Sequence, residues 1–276
     1  MKARCVLLWL LCAAMGMAAE VRKAVTFAEL PAAVQKTIAT QAGNGKRGEI
    51  ERVEEDGEVS YEAEIVKDGR ERDIAVGEDG TLQSIEVALI ETPLVVLKTI
   101  EAQVGDGKIE SIDKTFDDED ISYEVEMKTT DGAARSFTVA ADGKLESVQV
   151  ALEETPAAVQ KTIAAQVGKA TLGDVFKTFD DDGISYDATV TEKGRDRDFT
   201  VAENGRLVSR QVFLAELPPP AQKTIAESIG NGKVLRIDHV FEKKKGVFPF
   251  EIEGRRDGQA FDFSVGPKGA FLGMDD

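Results

Sequence analysis

Two hydrophobic periods alternate along this chain. Val34, Ile38 and Ala42 recur every four residues, and Val96, Ile100 and Val104 repeat that spacing, the apolar stripe of a helix. Val59-Ser60-Tyr61-Glu62-Ala63-Glu64-Ile65 instead alternates apolar and polar at every step, which predicts a half-buried strand. The punctuation between them is glycine and proline. Pro31 opens the helix at its first position, with Thr92 or Thr155 as the preceding cap in later copies, and Gly43-Asn44-Gly45 ends it. A strand near 49–54 follows, then the acidic turn Glu55-Asp56-Gly57. Asp68-Gly69 turns the chain into a strand over 73–76, and Asp79-Gly80 turns it again into one over 82–89.

The same phrase recurs four times. Pro31, Pro93, Pro156 and Pro218 lie 62, 63 and 62 residues apart and open ELPAAVQKTI, ETPLVVLKTI, ETPAAVQKTI and ELPPPAQKTI. Tyr61, Tyr123 and Tyr186 each follow their proline by 30 residues, and Phe250 is the fourth counterpart, two residues late. Gly80, Gly143, Gly205 and Gly269 close the units. The predicted fold class is α+β: four tandem units, each a helix packed on one face of a four-stranded antiparallel sheet. The units run 26–89, 90–152, 153–214 and 215–276. Parity places Val59, Tyr61, Ala63 and Ile65, with Ile121, Tyr123, Val125 and Met127, toward the helices. Ser60, Glu62, Glu64, Ser122, Glu124, Glu126, Ser185, Asp187, Glu251 and Glu253 then fall on the open face, an acidic surface suited to a partner.

The order LPAAVQKTI, a glycine-rich break, an SYE strand and a DG turn before the last strand resembles the PepSY-like family, related to the beta-lactamase inhibitory protein. The resemblance implies a secreted or periplasmic binding module with an inhibitory role toward an extracellular enzyme. This chain departs from that inhibitor in having four units where it has two, and no disulfides.

Residues 1–19 read as a signal peptide: Lys2 and Arg4, the apolar run from Cys5 to Cys12, then small residues up to Ala19. The apolar run is shorter than the roughly 20 residues of a spanning helix. Cleavage removes both cysteines and takes the formal charge from −17 to −19. Thiol catalysis and thiolate metal sites are thereby excluded, and nucleic acid and anionic membranes are poor partners for so acidic a chain.

The remaining residue types offer little catalysis. His239, the single histidine, occupies the strand position of Arg52, Lys114 and Lys177, so it reads as a surface base-type position and not a ligand. Asp117-Asp118-Glu119-Asp120 and Asp180-Asp181-Asp182-Gly183 invite calcium but miss the EF-hand order. Glu62 and Glu64 lack the pKa asymmetry that acid–base chemistry needs. Ser60, Ser122 and Ser185 have no histidine base. Lys36, Lys98, Lys161 and Lys223 recur as solvated helix residues. Gly43-Asn44-Gly45 follows a helix and is no phosphate loop.

The sequence therefore predicts an exported, non-enzymatic protein with no cofactor and no metal, binding a basic protein or peptide and regulating an extracytoplasmic enzyme such as a peptidase. The alternative is a structural or cation-binding envelope protein.

Overall fold

Pro31, Pro93, Pro156 and Pro218 each precede an 11-residue helix: α1 (Ala32–Ala42), α2 (Leu94–Val104), α3 (Ala157–Val167) and α4 (Pro219–Ile229). The structure, a computed structural model, describes residues 21–55, 58–117, 120–180, 183–242, 246–256 and 259–274. The signal-peptide segment lies outside them, as do the centres of the acidic turns. The prolines are N-caps and do not occupy the first helical position; Pro31 has φ −54° and ψ 145°. Thr92 and Thr155 do not cap either. Their hydroxyls donate backward, to the carbonyls of Ala88 (3.4 Å) and Leu152 (2.8 Å). Gln35, Gln160 and Gln222 instead reach back from the helix to the carbonyls of Leu30, Thr155 and Leu217, at 2.9, 2.7 and 2.7 Å. A 3-10 turn precedes each helix, and its glutamate accepts from the backbone at its own start: Glu29 from Thr26, Glu91 from Ala88, Glu216 from Phe213.

The strands are β1 (Val21–Ala24), β2 (Lys46–Glu55), β3 (Glu58–Lys67), β4 (Arg70–Gly77), β5 (Leu82–Glu86), β6 (Lys108–Asp117), β7 (Asp120–Lys128), β8 (Ala134–Ala140) and β9 (Leu145–Gln149). They continue as β10 (Thr171–Asp180), β11 (Gly183–Glu192), β12 (Arg195–Ala202), β13 (Leu207–Gln211), β14 (Lys233–Val240), β15 (Phe250–Arg256), β16 (Gln259–Val265) and β17 (Phe271–Met274). The expectation of four separate four-stranded sheets is overturned: all belong to one 17-stranded antiparallel sheet. Each repeat contributes one helix and four strands, and the fourth strand pairs with the first strand of the next repeat. Ile85 stands opposite Lys114, Val148 opposite Lys177, and Arg210 opposite His239. The reason is physical. A sheet closed off at the short β5, β9 or β13 would expose a row of backbone donors and acceptors, and the next first strand, only a 3-10 turn and a helix away, satisfies them. β1, which alternation did not reveal, pairs with β2, Lys23 opposite Arg52.

The chain divides into two compact units, one of residues 19–151 with 176–184, the other of 152–175 with 185–276. In the first, Val34, Ile38 and Ala42 pack on Tyr61, Ala63, Ile65, Ile74 and Val76, and Val96 and Ile100 pack on Tyr123, Val125, Phe137 and Val139. In the second, Ala221 and Ile225 meet Phe250, Ile252, Phe263 and Val265. Tyr61, Tyr123, Tyr186 and Phe250 are thus core residues. Lys36, Lys98, Lys161 and Lys223 are exposed. Among the described residues no helix is long and apolar enough to cross a membrane.

Candidate functional site on the sheet face opposite the helices

The residues that alternate with the core positions lie on the other face, and antiparallel register brings them into lateral rows. Glu62 stands between Glu51 and Ala75. Arg22 of β1 bonds both carboxylates, Glu51 at 3.2 Å and Glu62 at 2.5 and 3.1 Å, so one guanidinium offsets half of the charge of this corner. Ser60, expected in solvent, is buried beside Val53 and Gly77.

One step along the strands the picture changes. Glu64 faces Asp73, Glu86 faces Asp113, and Asp113 faces Glu124. Asp73 and Glu86 flank the Ile74–Ile85 pair on adjoining strands. Five carboxylates therefore run across β3 to β7. Burial pushes the Asp113 carboxyl up to about 6, the Glu86 charge adds to this, and a hydrogen bond from Ser111 opposes it. Burial, then Asp113 and Glu126, push Glu124 up to about 7. At neutral pH this row holds charge that it would readily share with a cation or a proton. Glu126, exposed, sits between Ser111 and Ser136. Ser122 shares a 2.9 Å hydrogen bond with Thr115.

The corresponding place in the second unit has its own cation. Asp198, Asp238 and Glu251 match Asp73, Asp113 and Glu124 in repeat position, but Arg236 stands where the second repeat has Ser111. Its guanidinium donates to Asp238 at 2.6 and 3.1 Å and to Asp198 at 2.8 Å. Burial disfavours that charge, but Asp238 and Asp198 outweigh it and hold the proton more firmly. Glu253 faces Arg236 and is raised by burial. Asp187 accepts from Thr200 at 2.6 Å, and Ser185 is half-buried opposite Ala202.

Within each unit the expected residues alternate with the core positions, but only Glu64 and Glu124 enter the dense row. Asp73, Glu86, Asp113, Asp198, Arg236 and Asp238 were missed. Four of them carried a signal, Asp73 and Asp198 recurring 42 residues after a proline and Asp113 and Asp238 20 residues after one; Glu86 and Arg236 carried none of that kind, and Glu86 meets Asp113 only through pairing between repeats. His239 is half-buried, with ring centroids 4.5 Å from Phe241 and 4.9 Å from Phe250, so it is a packed ring and not a surface position. Burial lowers its pKa. Among the described residues no group of acids and histidines is arranged to hold a metal ion.

No family profile matches this chain. No curated protein matches it. Several solved structures are similar to part of it. A DUF2874 family protein from Bacteroides ovatus is 23% identical over 44% of this chain and 86% of that one, with a TM-score of 0.34. A BLIP-like protein from Bacteroides fragilis is 18% identical over 44% and 86%, with a TM-score of 0.33. A DUF2874 family protein from Bacteroides vulgatus, provisionally assigned to the periplasm, is 15% identical over 46% and 95%, with a TM-score of 0.30.

Proposed function

We propose that this is an exported, periplasmic, non-enzymatic binding protein whose acidic sheet face takes a basic protein or peptide. One observation carries the reading. Among the described residues, the row Asp73, Glu86, Asp113 and Glu124 lacks the cation that the same fold supplies to Asp198 and Asp238 through Arg236. A partner's arginine or lysine entering the row would replace that missing charge, in hydrogen-bonding geometry and away from bulk water. The leader-like sequence supports export, and the PepSY-like reading of the repeat motif is consistent with a binding role. Regulation of an extracytoplasmic enzyme, such as a peptidase, is the form of binding we propose.

Capture from periplasmic extract, with the full chain as bait at low and physiological salt, tests this. A saturable, salt-sensitive basic protein retained by the native chain should be lost by Ser111→Arg, which installs the cation internally, and by Glu124→Lys. Capture of the same protein by both variants at undiminished yield would remove the acidic row as its site.

A further inference from the structure

The two edges of the sheet are finished differently. At one edge β1 lies on β2 in the manner of an internal junction: Lys23 opposite Arg52 corresponds to Ile85 opposite Lys114. The Val25 N–H reaches the Ile50 carbonyl at 2.9 Å just as Val87 reaches Ile112 at 2.8 Å. At the other edge, β17 is the fourth-repeat counterpart of β5, β9 and β13, and it pairs with β16. Among the described residues no strand is paired on its far side.

The side chains register the difference. Phe271 stands opposite Val265 as Leu82, Leu145 and Leu207 stand opposite Val76, Val139 and Val201. Met274 stands opposite Phe263 as Ile85, Val148 and Arg210 stand opposite Ile74, Phe137 and Phe199. The six internal counterparts are half-buried, whereas Phe271 is 49% and Met274 57% exposed. At the outer-face position between them stands Gly273, with open space where a Cβ would be.

The chain also shows three times what covers such an edge. The incoming strand runs antiparallel and carries a basic or imidazole residue two positions before a phenylalanine. These are Lys114 and Phe116, Lys177 and Phe179, and His239 and Phe241. Each lysine amine lies 4.9 Å from the centre of its phenylalanine ring, and the lysines stand opposite Ile85 and Val148 of the strands they pair with. All three strands are already engaged, and the matching segment of β2, Arg52 to Glu54, lacks the aromatic and lies under β1. Among its described residues a second copy of this chain therefore has no spare strand of that pattern.

We infer that β17 is a docking edge for an extended segment of a partner protein, added as an antiparallel strand and carrying a basic residue two positions before an aromatic one. The basic stem would lie over Met274 and the aromatic ring beside Phe271, while Gly273 tolerates any residue between them. Backbone pairing supplies affinity in such strand addition, and alternate side chains supply selectivity. This inference does not rest on the acidic row, which lies on β3 to β7.

The probe is a fluorescein-labelled synthetic peptide of the β6 sequence KIESIDKTFD, titrated into the full chain and read by fluorescence polarisation. Saturable binding is expected. It should weaken about tenfold when serine replaces the lysine and phenylalanine corresponding to Lys114 and Phe116, and about tenfold in the Phe271→Glu, Met274→Glu chain. Should that chain fold poorly, hydrogen exchange on the native chain decides: the Gly273 and Met274 amides must gain protection when peptide is added. Absence of binding up to about 1 mM peptide, binding indifferent to both sets of changes, or unchanged exchange at β17 would overturn the inference. So would a dimer, seen by sedimentation, that Met274→Glu dissociates, since the occupant would then be a second copy.

Discussion

The hydroxyl of Thr37 in α1 donates to the carbonyl of Gly80, 43 residues away, at 2.6 Å. The same bond joins Thr99 to Gly143, Thr162 to Gly205 and Thr224 to Gly269, at 2.6, 2.6 and 2.8 Å. It explains two repeated landmarks at once, the threonine of QKTI and the glycine of the last hairpin. Gly80 has φ +90°, and a Cβ there would meet Ala33 backbone at 2.8 Å. Thr37→Val should cost about 1 kcal/mol, and Gly80→Ala more, at least about 2 kcal/mol. Urea unfolding should show both as midpoint shifts at constant slope.

Asp113 and Glu124 make stability depend on pH. Both bind their protons more tightly folded, at about 6 and about 7, than unfolded, where carboxylates titrate near 4. The folded chain therefore holds more protons between about pH 4 and 7, and stability falls as pH rises through that window. Below it the trend reverses, because Glu91 and Glu216, held low by Arg72 and Arg197, lose their charge as pH falls further. Glu124→Gln should flatten the slope between about pH 5 and 8 and raise stability at pH 8 by about 1–2 kcal/mol. Melting curves across that range check it, and an unchanged slope would contradict the shared burial of this pair.

The exchange of Ser111 and Arg236 character is directly testable. Ser111→Arg should raise the melting temperature at pH 8 by neutralising Asp113. Arg236→Ser should lower it, because Asp238 and Asp198 lose a partner bonded at 2.6 and 2.8 Å. The second effect should be the larger, about 2–3 kcal/mol, since it leaves buried acid without its cation. Equal and small effects would mean that the guanidinium contributes little to holding the acids.

Arg72 and Arg197 anchor the links between repeats. Each side chain is only 10% exposed and bonds the glutamate of the next 3-10 turn at 2.8 Å, Glu91 and Glu216 respectively. Arg197 also lies with its guanidinium carbon 4.9 Å from the Phe213 ring centre. Glu91→Gln should destabilise by about 1–3 kcal/mol by leaving the Arg72 charge unmatched, while the similarly exposed Lys36→Gln should change stability by less than about 0.5 kcal/mol. Paired unfolding curves distinguish them.

Much of the architecture was legible because periodicity is a local property. The stripe at Val34 and Ile38, the alternation from Val59 to Ile65 and the recurring proline located helices, faces and the aromatic core, since side-chain direction follows directly from backbone type. β1 was missed because four residues offer too short an alternation. The glutamates of the 3-10 turns were missed because their bonds satisfy backbone rather than form a hydrophobic pattern. His239 was misplaced as a surface residue for the same reason: repeat position gave its strand, not the rings above it.

Local pattern was enough for the repeat, the order of helix and four strands, and which residues point toward the helices. That the strands of successive repeats join one sheet emerged from the folded chain alone, because any short edge can accept several antiparallel partners. That pairing places Glu86 against Asp113, which the hairpin of its own repeat already sets against Glu124, and brings Arg236 within reach of Asp198. Charge neighbours separated by 27 or 38 residues interact through space, and their energies depend on register and burial, which no local pattern specifies.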